Sequence, residues 1–483
     1  MSKVLLINPP FNIVKENYDS SISVGLLSIA TYLKSKNFEV EIIDGVRQKN
    51  YPDLIKSKIV DCDYVGLSVM TMQIPRALEI CKLIRSLKPT CKIVWGGSHP
   101  TFFVRQTIIN PIVDIVCFGE GEETMHEIVS GKALSEVLGI GYKDNGEIKI
   151  NSSRPLLDPA AHPLFDWDLV PKEILYNLYL IPSLTSRGCP HQCTFCINAI
   201  LKNRWRARAA EQVLEDLKII REKEYFKNKK LRFWDENFFV DIKRARTIVD
   251  GMIEQDLIMP WETTVRADYI RPGMIDDEFM ARLKKSGCYL LSFGAESGSL
   301  RILKKIKKEV TPEQILNSAK MCLKYDIIPQ YSFMIGLPGE ERGDMMKTLG
   351  LIDNLAKLGD NVQILGPQAF RPYPGSCLYE ECLAAGWQAP QSLEQWAHLA
   401  ENQLSYLSVK NFPWVKEKDK DFVESMEAYV RFGAHSIKSA LGSSVSAGRV
   451  LKLGFILICQ LRWKLKFFAW PMEFKLAKKF VTK

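Results

Sequence analysis

Three cysteines lie close together in a loop near the middle of the chain, and they constrain its fold more than any other feature. Cys189, Cys193 and Cys196 have the spacing C-x3-C-x2-C, with no fourth cysteine at a regular interval. Thiolates at this density select zinc or an iron-sulfur cluster. A structural zinc site normally closes with a fourth Cys or His, and His191, the local candidate, lies too close in sequence to complete a tetrahedron. A 4Fe-4S cluster on three cysteines instead leaves one iron free for a small molecule.

The length and composition indicate an ordinary globular protein of several domains. A chain of 483 residues is too long for one core and predicts about two to four domains. Hydrophobic residues make up 46% and charged residues 25%, which argues against global disorder. Pro9 interrupts any apolar segment at the start, so the twelve cysteines indicate a reducing cytosol and not a secreted disulfide framework.

The positive charge of the chain is concentrated at one end. The net charge is +9, and residues 449–483 contain nine Lys or Arg side chains against one acid, Glu473. The preceding part of the chain is therefore close to neutral. A nucleic-acid-binding groove needs a spread of basic residues, so we predict no nucleic-acid partner.

Residues 1–138 have the pattern of a doubly wound α/β domain. Short apolar runs alternate with amphipathic helical patterns, which predicts a parallel sheet covered on both faces by right-handed crossovers. Ligands of such sheets bind at the carboxyl ends of the strands. The predicted strands are 4–7, 40–43, 64–69, 92–95 and 112–116, and the clearest helices are 24–36, 74–88 and 119–130.

Small and polar residues follow these strands. None of the loops is a G-x-G-x-x-G fingerprint, which disfavours a nicotinamide or flavin. Small residues allow a large flat ligand to approach the backbone closely. The candidate cofactor-binding residues of this domain are Ser68, Thr71, Gly96, Gly97, His99, Gly119 and Glu120.

A connector at 139–182 leads to a second α/β region at 183–390. The connector contains a hairpin around Asn145-Gly146 and an extended proline-rich linker. In the second region six further strands are predicted, at 180–185, 230–235, 261–266, 289–294, 328–335 and 361–369. In barrels built of βα units the chemistry lies at the carboxyl ends of the strands. Candidate site residues at those ends are Asp235, Arg266, Glu296, Ser297, Gly336 and Pro338.

The cysteine loop resembles that of the radical S-adenosylmethionine (SAM) enzymes, in which an aromatic residue, here Phe195, precedes the last cysteine. The preceding domain, with Gly96-Gly-Ser-His-Pro100 and Gly119-Glu-Gly-Glu122, resembles the cobalamin-binding domain of B12-dependent radical SAM enzymes. The resemblance covers residues 1 to about 390. It implies a Rossmann-like cobalamin domain followed by a partial (βα)6 barrel, and as cofactors a 4Fe-4S cluster, SAM and cobalamin. The D-x-H-x-x-G motif that supplies the lower cobalt ligand in many cobalamin proteins is absent.

The resemblance also implies roles for individual residues. The three cysteines hold the cluster, and the amino and carboxylate groups of SAM chelate the fourth iron. Glu296 and its neighbours fall where the family handles the methionyl part and the ribose, and the run ending in Pro338 lines the adenine. Arg266 is a candidate for the SAM carboxylate, since a guanidinium fork suits it. His99 either replaces the missing cobalt ligand or makes hydrogen bonds within its loop.

We therefore predict a radical SAM enzyme that methylates an unactivated carbon with the help of cobalamin, which carries the hard chemistry. An electron donor such as flavodoxin or ferredoxin is implied. Three alternatives stay open at this point: oxidation, cyclisation or rearrangement with the same cofactors; an N-terminal domain that is an empty scaffold; and a non-catalytic iron-sulfur or zinc protein. The sequence does not identify the substrate or the catalytic residues.

Residues 391–483 are predicted to form a helical region with a basic amphipathic tail. Trp396, Trp414, Met426 and Tyr429 are expected to pack in a helical module. In 451–470 the cations Arg462, Lys464 and Lys466 interrupt any membrane-spanning window. Peripheral association with the inner face of the membrane and a lipophilic substrate are therefore predicted; the alternative is that the apolar stripe packs on the barrel. The stripe recurs at helical spacing: Leu453, Leu457, Leu461, Leu465 and Phe468.

Overall fold

A computed structural model describes residues 3–11, 22–401, 409–434 and 449–481. The chain divides into two compact units. The first comprises Met1–Leu184, Arg206–Lys230 and Ala389–Tyr406, and the second comprises Thr185–Trp205, Leu231–Gln388 and Leu407–Lys483.

The first unit is built on a seven-stranded sheet in the order β2-β1-β3-β4-β5-β6-β7. The pairs from β2 to β5 are parallel, and the last two pairs are antiparallel. All five strands predicted for this domain are present, although the fifth, predicted at 112–116, begins only at Ile115. The apolar residues of β1, β3, β4 and β5 are buried, as in a sheet covered on both faces. The strands are β1 Lys3–Asn8, β2 Glu39–Asp44, β3 Tyr64–Ser68, β4 Lys92–Gly96, β5 Ile115–Cys117, β6 Ile140–Asp144 and β7 Glu147–Ile150.

Two segments join the first unit in ways that the sequence did not indicate. The hairpin β6–β7, predicted as part of the connector, pairs with β5 and covers an edge that would otherwise expose unpaired backbone groups. Leu393, Trp396 and Ala397 belong to the hydrophobic core of the first unit, although they come from the C-terminal part of the chain. The helices of this unit are α1 Val24–Ser35, α2 Tyr51–Lys58, α3 Ile74–Leu87, α4 Ser98–Phe102, α5 Val104–Ile109, α6 Glu122–Val129, α7 Lys172–Tyr176, α9 Ala210–Glu222 and α16 Leu393–Glu401.

The second unit contains the barrel-type βα repeats. Strands β11 to β15 lie side by side in sequence order and are all parallel, and the predicted strand that precedes them is present as β8. The strands from this part of the chain are β8 Leu180–Ser183, β9 Ser186–Arg187, β10 Arg206–Ala207, β11 Lys230–Phe233, β12 Trp261–Val265, β13 Cys288–Glu296, β14 Ile328–Ile335 and β15 Gln363–Ala369. The helices are α8 Ile197–Ile200, α10 Ile242–Glu254, α11 Asp277–Lys285, α12 Leu300–Lys305, α13 Pro312–Lys324, α14 Arg342–Ala356 and α15 Cys377–Ala384.

Three further helices complete the second unit: α17 Glu417–Gly433, α18 Arg449–Leu465 and α19 Met472–Val481. Met426 and Tyr429 are fully buried on α17, as predicted, whereas parts of the predicted helical module, 402–408 and 435–442, lie outside the described residues. Helix α18 packs closely on the end of α17, where a Cβ atom on Gly433 would lie 2.7 Å from the carbonyl oxygen of Cys459. Within the described ranges, no helix is long and apolar enough to cross a membrane.

Candidate active site

The cysteine loop begins with a glycine that no other residue can replace without displacement of the chain. Gly188 has φ +78°, and a Cβ atom there would lie 2.4 Å from the carbonyl oxygen of Arg204. The next residue, Cys189, donates its backbone N–H to Asn203 O at 3.2 Å. The start of the loop is therefore fixed against residues 203–204 by close backbone contact.

Asp235, two residues after β11, fixes the segment that leads into the cysteine loop. Its carboxylate accepts hydrogen bonds from Thr185 N–H at 2.8 Å, Thr185 Oγ1 at 2.6 Å and Ser186 Oγ at 2.5 Å. The residue is 2% exposed, and burial raises its pKa. We predicted that Asp235 contacts a cofactor. In the structure both of its carboxylate oxygens accept hydrogen bonds from the protein, so Asp235 supports the cysteine loop.

The three thiols share this loop and are shielded from water to different degrees. Cys193 is buried, whereas Cys189 and Cys196 are half-buried. Burial raises the pKa of Cys189 and Cys193, and the neighbouring Cys196 acts in the same direction on both. No group of three or more His, Cys, Asp or Glu side chains among the described residues is placed to hold a single metal ion. Cluster cysteines each bind a different iron, so a cluster does not need the thiolates to converge on one point.

His191 is engaged elsewhere, which disfavours the zinc interpretation. Its Nε2 lies 2.8 Å from the hydroxyl of Tyr269, and this hydroxyl also accepts a hydrogen bond from Asn237 Nδ2 at 3.2 Å. Burial lowers the pKa of His191. The residue thus ties the cysteine loop to the segment after β12 and is not poised as a fourth metal ligand.

Two cations lie beside the loop. Arg266 donates from Nε to Asp268 Oδ1 at 2.9 Å and from Nη2 to the carbonyl of Lys308 at 2.6 Å. The ammonium of Lys308 is 3.0 Å from Glu296 Oε1 and 5.9 Å from the centroid of the Phe195 ring. Burial raises the pKa of Cys193, while both cations favour its thiolate. Each cation is also paired with a carboxylate, so the surroundings of the loop offer both positive and negative groups to a ligand. Neither Lys308 nor Tyr269 was predicted, since no local motif marks them.

Glu296 occupies an unusual backbone position at the end of β13. It has φ +63°, a conformation that is strained for a residue with a side chain and that clusters at functional sites. Glu296 and its partner Lys308 are both buried, with 7% and 9% of their surface exposed, respectively. Ser297, also predicted to bind cofactor, is instead bonded inside the protein: its Oγ accepts Ser299 N–H at 3.1 Å and lies 3.1 Å from Thr348 Oγ1.

The loop after β14 is shaped by Glu340, a strand-end carboxylate to which the sequence analysis gave no individual role. Glu340 Oε2 accepts the backbone N–H groups of Gly336 at 2.6 Å and Leu337 at 3.1 Å, and Gly336 has φ +75°. Burial raises the pKa of Glu340 to about 7. Pro338 takes part through its carbonyl, which accepts a hydrogen bond from Lys305 Nζ at 2.7 Å. The run from Gly336 to Glu340 is thus a turn held by hydrogen bonds to its own last residue. A glutamate at the end of this glycine-rich run was the sequence signal that could have predicted the turn.

In the first unit, the predicted glycines lie at the carboxyl edge of the sheet. Gly97 has φ +97°, and a Cβ atom there would lie 2.7 Å from Val69 N and 3.3 Å from Ser68 Oγ. Gly119 has φ +80° with nothing within 4 Å of its Cβ position. Gly96 packs more loosely, 3.5 Å from Cys117 O. Gly97 is therefore needed for close packing of two strand-end loops, whereas Gly119 leaves open backbone at the edge where ligands of parallel sheets bind. The contact of these residues with cobalamin stays a prediction.

Glu120 makes structural contacts within the first unit. Its two oxygens each lie 3.0 Å from the guanidinium of Arg206, and Oε2 also accepts Leu157 N–H at 2.6 Å. This bidentate pair attaches the connector and the segment at 206 to the strand-end loop. Glu120 was predicted as a cofactor-binding residue, but the described contacts of its side chain are to the protein.

His99 is buried among residues of the first unit. It is 1% exposed, its Nδ1 lies 3.1 Å from Thr71 Oγ1, and its ring packs on Phe103 and Trp396 with centroids 4.8 and 5.4 Å away. Burial lowers the pKa of His99 to about 3. The Nδ1 of His99 thus contacts the loop after β3, while its Nε2 is buried without a hydrogen-bond partner among the described residues. The enclosed ring favours the interpretation of His99 as a loop residue over that of a cobalt ligand.

We therefore expect cobalamin bound to this protein to lack a histidine ligand on the lower face. The electron paramagnetic resonance spectrum of the cob(II)alamin form should show no nitrogen superhyperfine splitting from the protein. Replacement of His99 with alanine should leave the cobalt hyperfine pattern unchanged. A nitrogen splitting in the wild-type spectrum that disappears in His99→Ala would contradict this assignment.

Comparisons with known proteins agree with the two-unit organisation. The family model described as the B12 binding domain matches residues 14–129, and the Radical SAM superfamily model matches residues 183–352. The chain is 30% identical over 396 residues to an uncharacterized methyltransferase of Pyrococcus horikoshii, covering 79% of this chain and 83% of that protein. It is 24% identical over 374 residues to the anaerobic magnesium-protoporphyrin IX monomethyl ester cyclase of Rubrivivax gelatinosus, covering 73% and 65%.

Solved structures show the same fold. The radical SAM methyltransferase TsrM from Kitasatospora setae, with cobalamin and a 4Fe-4S cluster bound, has a TM-score of 0.66 at 14% identity, covering 95% of this chain and 100% of that one. The cobalamin-dependent SAM radical enzyme OxsB, with aqua-cobalamin and SAM bound, has a TM-score of 0.64 at 24% identity over 87% of this chain. The chain spans only 58% of OxsB. The relationship to the Pyrococcus protein, together with both domain matches in order, shows that this chain belongs to the radical SAM enzymes with an N-terminal B12-binding domain, whose cofactors are a 4Fe-4S cluster, SAM and cobalamin.

Proposed function

We propose that this enzyme transfers a methyl group, with the help of cobalamin, to an unactivated carbon of a lipophilic substrate. The observation that carries the methyl transfer is the 30% identity to a protein named as a methyltransferase over 83% of that protein's length. The basic, apolar C-terminal segment supports the lipophilic class of substrate. An electron donor of the flavodoxin or ferredoxin type is proposed as the partner.

When bound, the cluster supplies the electron that cleaves SAM to a 5'-deoxyadenosyl radical, and cobalamin supplies the transferable methyl group. The residues of the chain position these groups and exclude water. Cys189, Cys193 and Cys196 hold the cluster, and Asp235 fixes the strand that leads into their loop. The cations Arg266 and Lys308 stabilise negative charge beside Cys193.

Glu296 and Lys308 neutralise each other in a buried site, which limits the cost of keeping both charges away from water. A SAM carboxylate at this place would meet a cation, and a SAM ammonium would meet an anion. We propose that the methionyl part of SAM binds against this pair, with Arg266 as the further contact for the carboxylate. The turn from Gly336 to Pro338 is proposed to line the adenine.

A second candidate function keeps the same cofactors but forms a ring or oxidises the substrate. The similarity to the magnesium-protoporphyrin cyclase of Rubrivivax gelatinosus favours it, at 24% identity over 73% of this chain. The two functions differ in their SAM products. Methyl transfer consumes a second SAM and yields S-adenosylhomocysteine together with 5'-deoxyadenosine, whereas cyclisation or oxidation yields deoxyadenosine without S-adenosylhomocysteine.

The experiment uses the protein reconstituted anaerobically with iron, sulfide and hydroxocobalamin, a reduced flavodoxin and methyl-deuterated SAM. Lipid and metabolite extracts from a strain that lacks the gene serve as the substrate source, and mass spectrometry follows the label. We expect a lipid-extract component to gain the deuterated methyl group, with equal amounts of the two SAM products. Deoxyadenosine without S-adenosylhomocysteine would favour the second candidate, and label only in water-soluble components would exclude the lipophilic substrate.

A further inference from the structure

Helix α18 has two separate apolar faces, and in the part of the chain that the structure describes only one of them is used for packing. Ile456, Cys459 and Trp463, spaced three and four residues apart, are 5% exposed or less and form the buried face. The indole N–H of Trp463 donates to Asp353 Oδ1 at 2.9 Å, which anchors this face on α14. Phe455 adds a further contact, since its ring lies 5.6 Å from that of Phe432 on α17. The helix is therefore fixed in the second unit without the leucines described next.

The other face is exposed, contrary to the alternative that this stripe packs on the barrel. Four leucines at intervals of four residues point away from the buried face, and their exposure rises along the helix from 37% to 64%. Phe468 was predicted as part of this stripe but is buried, because the helix ends at Leu465 and the chain turns there. The exposed leucines are Leu453, Leu457, Leu461 and Leu465.

Further apolar side chains extend this exposed surface beyond the end of the helix. Phe467 is 48% exposed and Trp470 is 79% exposed, and both lie in the turn between α18 and α19. Met472 and Leu476, on α19, are also more than half exposed. We call the four leucines with these four residues the apolar face. Monomeric soluble proteins rarely expose contiguous apolar patches of more than a few hundred Å², and larger patches mark binding sites.

Basic side chains accompany the apolar face, while acids near it are neutralised. Lys464 is exposed on the last turn of α18, and Lys466, which follows that turn, is exposed but paired with an acid. Glu473, the single acid of residues 449–483, is ion-paired with Arg462 at 2.5 Å, and Asp353 is ion-paired with Lys466 at 3.1 Å. The surface therefore presents leucines, aromatic rings and positive charge together, as helices that lie at a lipid interface do.

We propose that the apolar face is a docking surface for an anionic lipid membrane, on which α18 lies without crossing it. The combination selects a lipid surface over a second copy of this chain, because two copies that met through this face would bring their excess cations together. Anionic headgroups attract Lys464 and the basic excess of residues 449–483, while the leucines enter the boundary of the acyl chains. Trp470 has the amphipathic ring that suits the headgroup level. The inference concerns this surface alone and does not depend on the reaction proposed above.

The test is flotation of the full-length protein with vesicles of phosphatidylglycerol and phosphatidylcholine. Deletion of the tail is unsuitable, since Ile456, Cys459 and Trp463 pack in the second unit. A variant with Leu457, Leu461 and Leu465 all changed to Gln alters only exposed positions. A matched control variant carries Val60→Gln, Ile109→Gln and Leu300→Gln, three apolar residues that are 59% to 68% exposed elsewhere.

We expect the wild-type and control proteins to float with anionic vesicles and to be released at high salt. Binding of the leucine variant should fall at least tenfold, and neutral vesicles should bind the wild type weakly. Lys464→Glu, which keeps every leucine, should also weaken binding to anionic vesicles, so the test holds even if the triple variant fails to fold. Equal flotation of all variants would overturn the proposal. So would a concentration-dependent dimer in light scattering that the leucine variant loses, without vesicle binding by the wild type.

Discussion

Replacement of Cys189, Cys193 and Cys196 with alanine is expected to abolish the iron-sulfur cluster and all SAM cleavage. These cysteines are the only closely spaced set in the sequence, and the remaining nine are scattered. Without the thiolates, the loop keeps His191 as its one residue of a type that binds iron in clusters, and one ligand does not hold a cluster. The variant reconstituted with iron and sulfide should lose the broad visible absorbance of the cluster, and deoxyadenosine formation should fall to the background of the buffer.

Cys377→Ala provides the matched control, because Cys377 is exposed and lies outside the loop. Iron content and cleavage should match the wild type in this variant. Far-UV circular dichroism should be unchanged in both proteins, since the cysteine loop is held by backbone contacts and by Asp235. A triple variant that keeps a full complement of iron would place the cluster elsewhere in the protein.

Gly188→Ala is expected to disrupt cluster assembly although it removes no ligand. The new Cβ atom would lie 2.4 Å from Arg204 O and 2.7 Å from Asn203 O, and both of these atoms belong to the backbone. The alanine also adopts a positive φ, which costs roughly 1–3 kcal/mol by itself. Relief of the overlap needs a backbone shift that costs about 1–3 kcal/mol more. Because Cys189 is the next residue, the shift moves a cluster ligand.

Gly146→Ala is the control that separates the cost of a positive φ from the cost of the steric overlap. Gly146 has φ +87°, but nothing lies within 4 Å of its Cβ position. This control should lose only the roughly 1–3 kcal/mol of stability that a positive φ costs, and it should keep its iron. Iron per chain after reconstitution and the thermal midpoint are the measurements. If both alanine variants bound iron equally well, the contact of Gly188 with residues 203–204 would have no importance for the cluster.

The strands and the cysteine loop were predictable because their signals are local. The apolar run Val4–Ile7 is buried on both faces of its sheet, and such runs between helical patterns have few alternative structures. The cysteine spacing is likewise a short-range pattern. By contrast, the packing of Trp396 against His99 and Phe103 joins residues almost 300 positions apart and has no local signal.

The roles of polar residues were harder to predict for a physical reason. A carboxylate at a strand end has the same sequence pattern in two different roles. It can face a ligand, as we propose for Glu296, or it can fix a neighbouring loop, as Asp235 does. Burial and hydrogen-bond partners distinguish the two cases, and only the fold supplies them. Similarly, the leucine stripe of α18 was visible in the sequence, but the second apolar face, through which the helix packs, was not recognised.

The central claim is that the cysteine loop holds a cluster with one iron open to SAM. Electron-nuclear double resonance of the reduced cluster tests it directly, with SAM labelled with nitrogen-15 at the amino group and oxygen-17 at the carboxylate. The account predicts hyperfine coupling from both labels in the wild-type protein, because the amino and carboxylate groups would chelate the open iron. A reduced cluster whose spectrum is unchanged by saturating labelled SAM would contradict the account.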